Sequence, residues 1–196
     1  MNEYIKQLKT AFIVLLFLTV LTGIIYPLII TGIAQLCFPW KANGSIIKVN
    51  DQSVGSLLIG QSFSDPKYFW GRPSATTPFP YNSENSAGSN LAMSNPDYKT
   101  TINARILKFQ EGDNKLEIPD DLLFASASGL DPNISAQAAY FQVKRIAAAR
   151  HIPENDIRTL IQVDEKNNTA FLFNNPFVNV LQLNIRLDAL EKAHDN

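Results

Sequence analysis

Residues 10–40 read TAFIVLLFLTVLTGIIYPLIITGIAQLCFPW and contain no Asp, Glu, Lys or Arg. A helix needs about 20 apolar residues to cross a hydrocarbon core roughly 30 Å thick, so this run is long enough with tilt to spare. Each charge at its centre would cost about 2.5–3.5 kcal/mol, and lipid demands their absence. Trp40 and Lys41 follow where an aromatic ring and an ammonium suit the headgroup layer. A cleaved signal peptide has a shorter apolar core and a small-residue cleavage site, whereas Ala34-Gln35-Leu36-Cys37 puts a bulky leucine before the cysteine. The same leucine disfavours a lipoprotein site. A buried core helix is seldom apolar on every face. The expectation is one retained span.

Lys6 and Lys9 outweigh Glu3 before the run, and basic flanks tend to stay cytoplasmic. Residues 1–9 are therefore expected as a cytoplasmic tail, 10–40 as the transmembrane helix, and 41–196 as an exported domain. Its size is ordinary for one domain. Lys and Arg number 17 against 18 Asp and Glu, which leaves no basic surface for nucleic acid. Cys37 is the only cysteine, so the domain has neither a disulfide framework nor a cysteine zinc site.

Thr19, Gly23, Pro27 and Thr31 fall four apart and share one helical row. Small residues in such a row let another helix approach closely, and Pro27 lacks the amide that would meet the Gly23 carbonyl. These four are expected to face a partner helix in the membrane. Beyond the span, β-branched runs at 45–49 and 53–59 flank Asn50-Asp51-Gln52 as a hairpin. Gly55 to Ser62 has the outline of a phosphate loop, but Gln61 stands where its lysine belongs. Leu57, Leu58 and Ile59 suit a buried strand better.

Residues 69–96 are dense in Gly, Pro, Ser and Asn without helical or strand period. The aromatic set Phe69, Trp70, Phe79 and Tyr81 argues for order. Such a loop either covers its own domain or offers aromatic anchors to a partner, and Phe79 and Tyr81 are the anchor candidates. Residues 97–109 suit a helix. Ser126, Ser128 and Gly129 resemble a hydrolase serine turn without its first glycine, and neither His151 nor His194 is coupled to a serine in sequence. Ser135 is expected to cap a helix over 136–150, with Ala136, Tyr140, Val143 and Ala147 as its apolar face. Pro153 opens a helix to about Ile161, residues 171–173 suit a short strand, and Val180, Leu183, Leu187 and Leu190 mark a last amphipathic helix. Strands and helices in no repeating order give an α+β domain behind a single transmembrane helix.

Taken in order, several segments resemble the C subunit of the bacterial Kdp potassium-transporting P-type ATPase, KdpC. They are GIIYP at 23–27, VGSLLIGQ at 54–61, YFWGRPSA at 68–75, SAGSNL at 86–91, SASGLDPNIS at 126–135, AAYFQVKRIAAAR at 138–150 and VNVLQLN at 178–184. Ala87, Asn133 and Arg186 depart from the family's usual residues. The resemblance implies an accessory, non-catalytic subunit of an ATP-driven potassium importer in the bacterial inner membrane. Its partners would be the Kdp A, B and F subunits, with no cofactor or metal of its own. It also implies a catalytic chaperone that raises ATP affinity in the B subunit, with Gln142 of the QVxR segment touching ATP. An exported domain, however, meets no cytoplasmic ATP. The alternatives, independent of the resemblance, are a membrane-anchored exported hydrolase using Ser126 or Ser128, or a ligand-binding module.

Overall fold

In the computed structural model, residues 2–110, 117–167 and 176–194 are described. The chain divides into two compact units, 1–46 and 47–196. The first is the apolar stretch. Helix α1 (Asn2–Val20) leads through one π-helical turn (Leu21–Ile25) into α2 (Tyr26–Cys37), and a short α3 (Pro39–Ala42) follows. Residues 2–9 of the expected tail are thus part of the helix. Glu3–Cys37 is long and apolar enough to cross a membrane, with mean hydropathy 2.7 and no residue of that stretch buried.

The π turn has a local cause. Pro27 cannot donate, and just before it the Tyr26 N–H reaches back five residues to Leu21 O. A four-residue row drifts by about 40° per step on a helix of 3.6 residues per turn. One wider turn works against that drift, so it keeps Thr19, Gly23, Pro27 and Thr31 closer to a line. A Cβ added at Gly23 would meet nothing within 4 Å. At the end of the unit Trp40 Nε1 donates to Ile46 O at 2.9 Å, and Asn43 Nδ2 donates to Pro39 O at 2.7 Å.

The second unit opens with a hairpin, β1 (Ile46–Val49) and β2 (Gln52–Ser56). Asn50 and Asp51 have φ of 50° and 62°, the two left-handed residues that a tight two-residue turn requires. The turn is therefore one residue shorter than expected. The strand expected to run to Ile59 ends at Ser56, and Leu58 is 59% exposed. After this turn Gly60 passes against the Tyr81 ring, where a Cβ would lie 2.4 Å from Cε1.

A long irregular stretch then leads to α4 (Pro96–Gln110) and α5 (Asp120–Leu123), followed by β3 (Asn133–Ser135), α6 (Ala136–Arg150), α7 (Glu154–Asn167), β4 (Phe177–Asn179) and α8 (Val180–His194). Strands β3 and β4 pair antiparallel, with Ile134 opposite Val178. Ser135 accepts from Ala138 N at 3.1 Å as the cap of α6, and His151 closes that helix with φ 57°. The core gathers Phe69, Ile134, Val143, Ile146, Ile157, Ile161, Val178, Leu183 and Leu187. The domain is α+β. The strand expected over 171–173 lies outside the described residues.

The apolar face of α6 is rotated from the expected one. Of the four expected residues Ala136 and Val143 are buried and Tyr140 and Ala147 only partly so, while Ala138, Ala139, Gln142, Ile146 and Arg150 are buried beside them. Two polar residues occupy the core stripe because both find partners there. Likewise α7 continues past Ile161 to bury Asp164, which pairs with Arg186 of α8.

Candidate functional site

Residues 65–72, DPKYFWGR, run as a strap fastened by side chains of α6 and α8. An extended residue presents its own N–H and C=O to one side, and the next residue presents its pair to the other. A side-chain amide carries a matching acceptor and donor. Asn184 of α8 meets Phe69 in this way, accepting from its N at 2.8 Å and donating to its O at 3.0 Å. Gln142 of α6 does the same for Trp70, at 2.8 and 3.1 Å. Two amides thus substitute for two neighbouring strands, and the Phe69 side chain is fully buried between the helices.

Arginines complete the fastening. Arg145 donates to Pro66 O, to Tyr68 O at 3.0 Å and to Gln142 Oε1 at 2.7 Å. Its guanidinium carbon lies 3.8 Å from the Trp70 ring centroid. All these acceptors are neutral, so burial brings its pKa down to about 10, opposed by the Asp65 charge. Arg150 donates to Lys67 O at 2.7 Å and to Asp188 and Glu191 at 2.6 Å each. Its side chain is 1% exposed.

The loop after the strap is ordered by the same means. Ser74 Oγ donates to Gly129 O at 2.8 Å, Thr76 Oγ1 donates to Phe79 O at 2.8 Å, and Ala87 N donates to Ser128 O at 3.0 Å. Gly129 has φ 68°, and a Cβ there would come within 2.6 Å of Ala87 O. Arg72 bridges Asp131 at 3.2 Å and Asp121 at 3.7 Å.

Of the two loop anchors expected, the structure turns one inward. The Tyr81 hydroxyl donates to Arg72 O at 2.5 Å and its ring fills the space beside Gly60 and Gly71. Burial, and then the Asp131 charge, push the phenol up to about 12, against the pull of Arg72. Phe79 is 56% exposed. The loop therefore covers its own domain and still presents an aromatic side chain outward.

Gln142 is 1% exposed. Its acceptor receives Trp70 N and Arg145, and its two donors meet Trp70 O and Ala138 O. A glutamine amide offers four such positions, and all are taken; none is open to a nucleotide in this conformation. The phosphate-loop outline fails as well, since the Gly60 amide donates to Leu130 O at 2.8 Å. Ser126 Oγ accepts from Gly129 N and Ser128 Oγ from Leu130 N, both backbone turns. His194 instead pairs with Asp156 at 3.2 Å, and His151 ends α6. Neither serine meets a histidine base, and no cluster of metal-ligating side chains occurs among the described residues.

Sequence reasoning missed Asn184, Arg145 and Arg150 as fasteners and Lys108 and Arg105 beside Trp70. Their signal was weak, because polar residues at helical spacing read as solvent-facing. The wide separation of the partners, 115 residues for Phe69 and Asn184, hid the rest.

Fold and site together define an α+β module, fastened by side-chain amides and arginines, that follows a helix apolar enough to span a membrane. The chain belongs to the KdpC family, described as the c chain of the K+-transporting ATPase, whose model matches residues 8–189. It is 51% identical over 187 residues to the "Potassium-transporting ATPase KdpC subunit" of Dechloromonas aromatica, covering 94% of this chain and 98% of that relative. The subunit of the same name from Ralstonia nicotianae is 48% identical, with 94% and 91% covered. That of Burkholderia orbicola is 45% identical over 196 residues, with 99% and 100% covered.

Proposed function

We propose that this protein is a non-catalytic accessory subunit of an ATP-driven potassium importer in the bacterial inner membrane. Its span holds it among the Kdp A, B and F subunits with the N-terminus in the cytoplasm and residues 41–196 outside. The relatives' printed name, which ties each to a potassium-transporting ATPase, supports the transport context. The observation that carries the role is the uncovered helix. Nothing of Glu3–Cys37 is buried, and its small-residue row is open at Gly23. That row takes a partner helix, and exposed Phe79 is the outer domain's contact to another subunit.

Support of ATP use by the B subunit is then conformational, carried through the assembly. The saturated amide of Gln142 favours this over direct nucleotide contact. The experiment is a Ser94→Cys change in a Cys37→Ser background, using an exposed loop position. An impermeant thiol reagent is expected to label it on intact cells. Labelling only after the membrane is broken would overturn the orientation and return Gln142 to the nucleotide question.

A further inference from the structure

Helix α4 carries Arg105 and Lys108 three residues apart, hence on one face, with Phe109 beside them. That face lines a cleft of about 300 Å³ shared with Phe63, Trp70 and Arg72. The volume is at the small end of the range for small-molecule sites. Lys108 Nζ lies 3.9 Å from the Trp70 ring centroid. Arg105 gives one guanidinium N–H to Leu123 O, out of the five it carries. Among the described residues neither pairs with a carboxylate. Arg72, which also lines the cleft, is paired with Asp131 and Asp121 outside its lining, and its buried Nε still lacks a hydrogen-bond partner.

We propose that this cleft binds a phosphate ester, its phosphoryl oxygens between Arg105 and Lys108 and its organic group against Phe63 and Phe109, beside the Trp70 ring that Lys108 covers. The charge count selects the ligand. Among the described residues no carboxylate pairs with either cation, and a phosphate monoester carries about −1.5 to −2 at pH 7, where a carboxylate brings one. The guanidinium fork suits phosphoryl oxygens. Like charges three apart on a helix repel each other, so an anion between them relieves a cost the free domain carries. Burial holds the Arg105 guanidinium below its ordinary pKa range, with Tyr98 acting the other way. Among the described residues, the hydrogen bond of this half-buried cation is to a neutral carbonyl. The apolar floor is built, since Trp70 and Phe109 ring centroids are 5.6 Å apart and Phe109 meets Phe141 at 5.7 Å.

The test uses the full chain with Trp40→Phe, which leaves Trp70 as the single indole. Titrated with phenyl phosphate, Trp70 emission is expected to change saturably with a Kd of about 1 mM or tighter. Phenol should give no saturable change. Lys108→Gln, at an exposed position, should weaken binding on the order of tenfold, with an unchanged circular-dichroism melt certifying the fold. Reconstitution in phosphatidylcholine vesicles with or without phosphatidic acid separates the sources. A phosphatidate-dependent emission change that phenyl phosphate reverses assigns a lipid headgroup. A response to phenyl phosphate alone assigns a soluble ester. An equal response to phenol, no saturable response to either phosphate, or undiminished affinity in a folded Arg105→Gln, Lys108→Gln chain overturns the proposal.

Discussion

Replacing Gln142 by alanine tests the clamp at its most economical point. The change removes the acceptor for Trp70 N and Arg145 and the donor to Trp70 O. A buried polar group left without its partner costs about 1–3 kcal/mol. Two such groups on Trp70 and a void at a 1% exposed position place the loss near 3 kcal/mol, at the low end of what those terms sum to because Trp70 is only partly buried. For a chain of this size that is a fall in Tm of about 6–12 °C, measured by thermal or urea unfolding of the full chain in detergent. Gln142→Glu keeps an oxygen for Trp70 N and Arg145 but sets oxygens against Trp70 O and Ala138 O, so it should also destabilise. Combining Gln142→Ala with Asn184→Ala should cost less than the sum, because both hold adjacent residues of one strap. A Gln142→Ala chain within about 0.5 kcal/mol of the parent, the range of ordinary surface changes, refutes the clamp. If apparent ATP affinity of the complex changed at the same time, nucleotide contact would be the better account.

Tyr81 supplies a pH test. Its folded pKa, about 12, lies above the unfolded value of 10.0, so the folded state binds more protons between them. Stability from this group is complete below pH 10 and is lost as pH rises towards 12; Tyr81→Phe should flatten that alkaline limb in urea unfolding. Gly129→Ala forces a side chain into φ 68° and against Ala87 O, and should lower stability by about 1–3 kcal/mol, read by the same unfolding curve. Arg150→Ala removes the cation that pairs with Asp188 and Glu191, leaving Asp188 the Tyr68 hydroxyl. Since those carboxylates are about 40% exposed, the loss should fall below the 3–5 kcal/mol typical of a fully buried pair. Gly23→Ile meets open space in the single chain, so it should leave the chain's own helix content unchanged while reducing recovery of the assembled complex on affinity purification.

The apolar helix was legible because lipid imposes a composition rule that needs no tertiary knowledge: 31 consecutive residues, 10–40, without a charge. Helix α6 was equally plain, with its serine cap and closing Arg150. Its inward face was not. Hydrophobicity ranks Gln142 and Arg150 as surface residues, yet both are buried because carbonyls and amides of the strap, 72 and 83 residues away, satisfy them. The hairpin's existence followed from turn chemistry, but the packing of Gly60 beyond it depended on a Tyr81 ring that arrives from a later loop.

Local signals of period, cap and composition therefore determined the long apolar helix, the α+β class and most element positions, since each depends on neighbours within a few turns. Family membership, too, was readable from ordered short segments. Only the tertiary structure decided that the FWG strap is held by Asn184 and Gln142, that Tyr81 points in while Phe79 points out, and that Arg105 and Lys108 face one cleft. Hydrogen bonds between residues far apart in sequence leave no periodic trace, so their partners become visible only when the chain has closed upon itself.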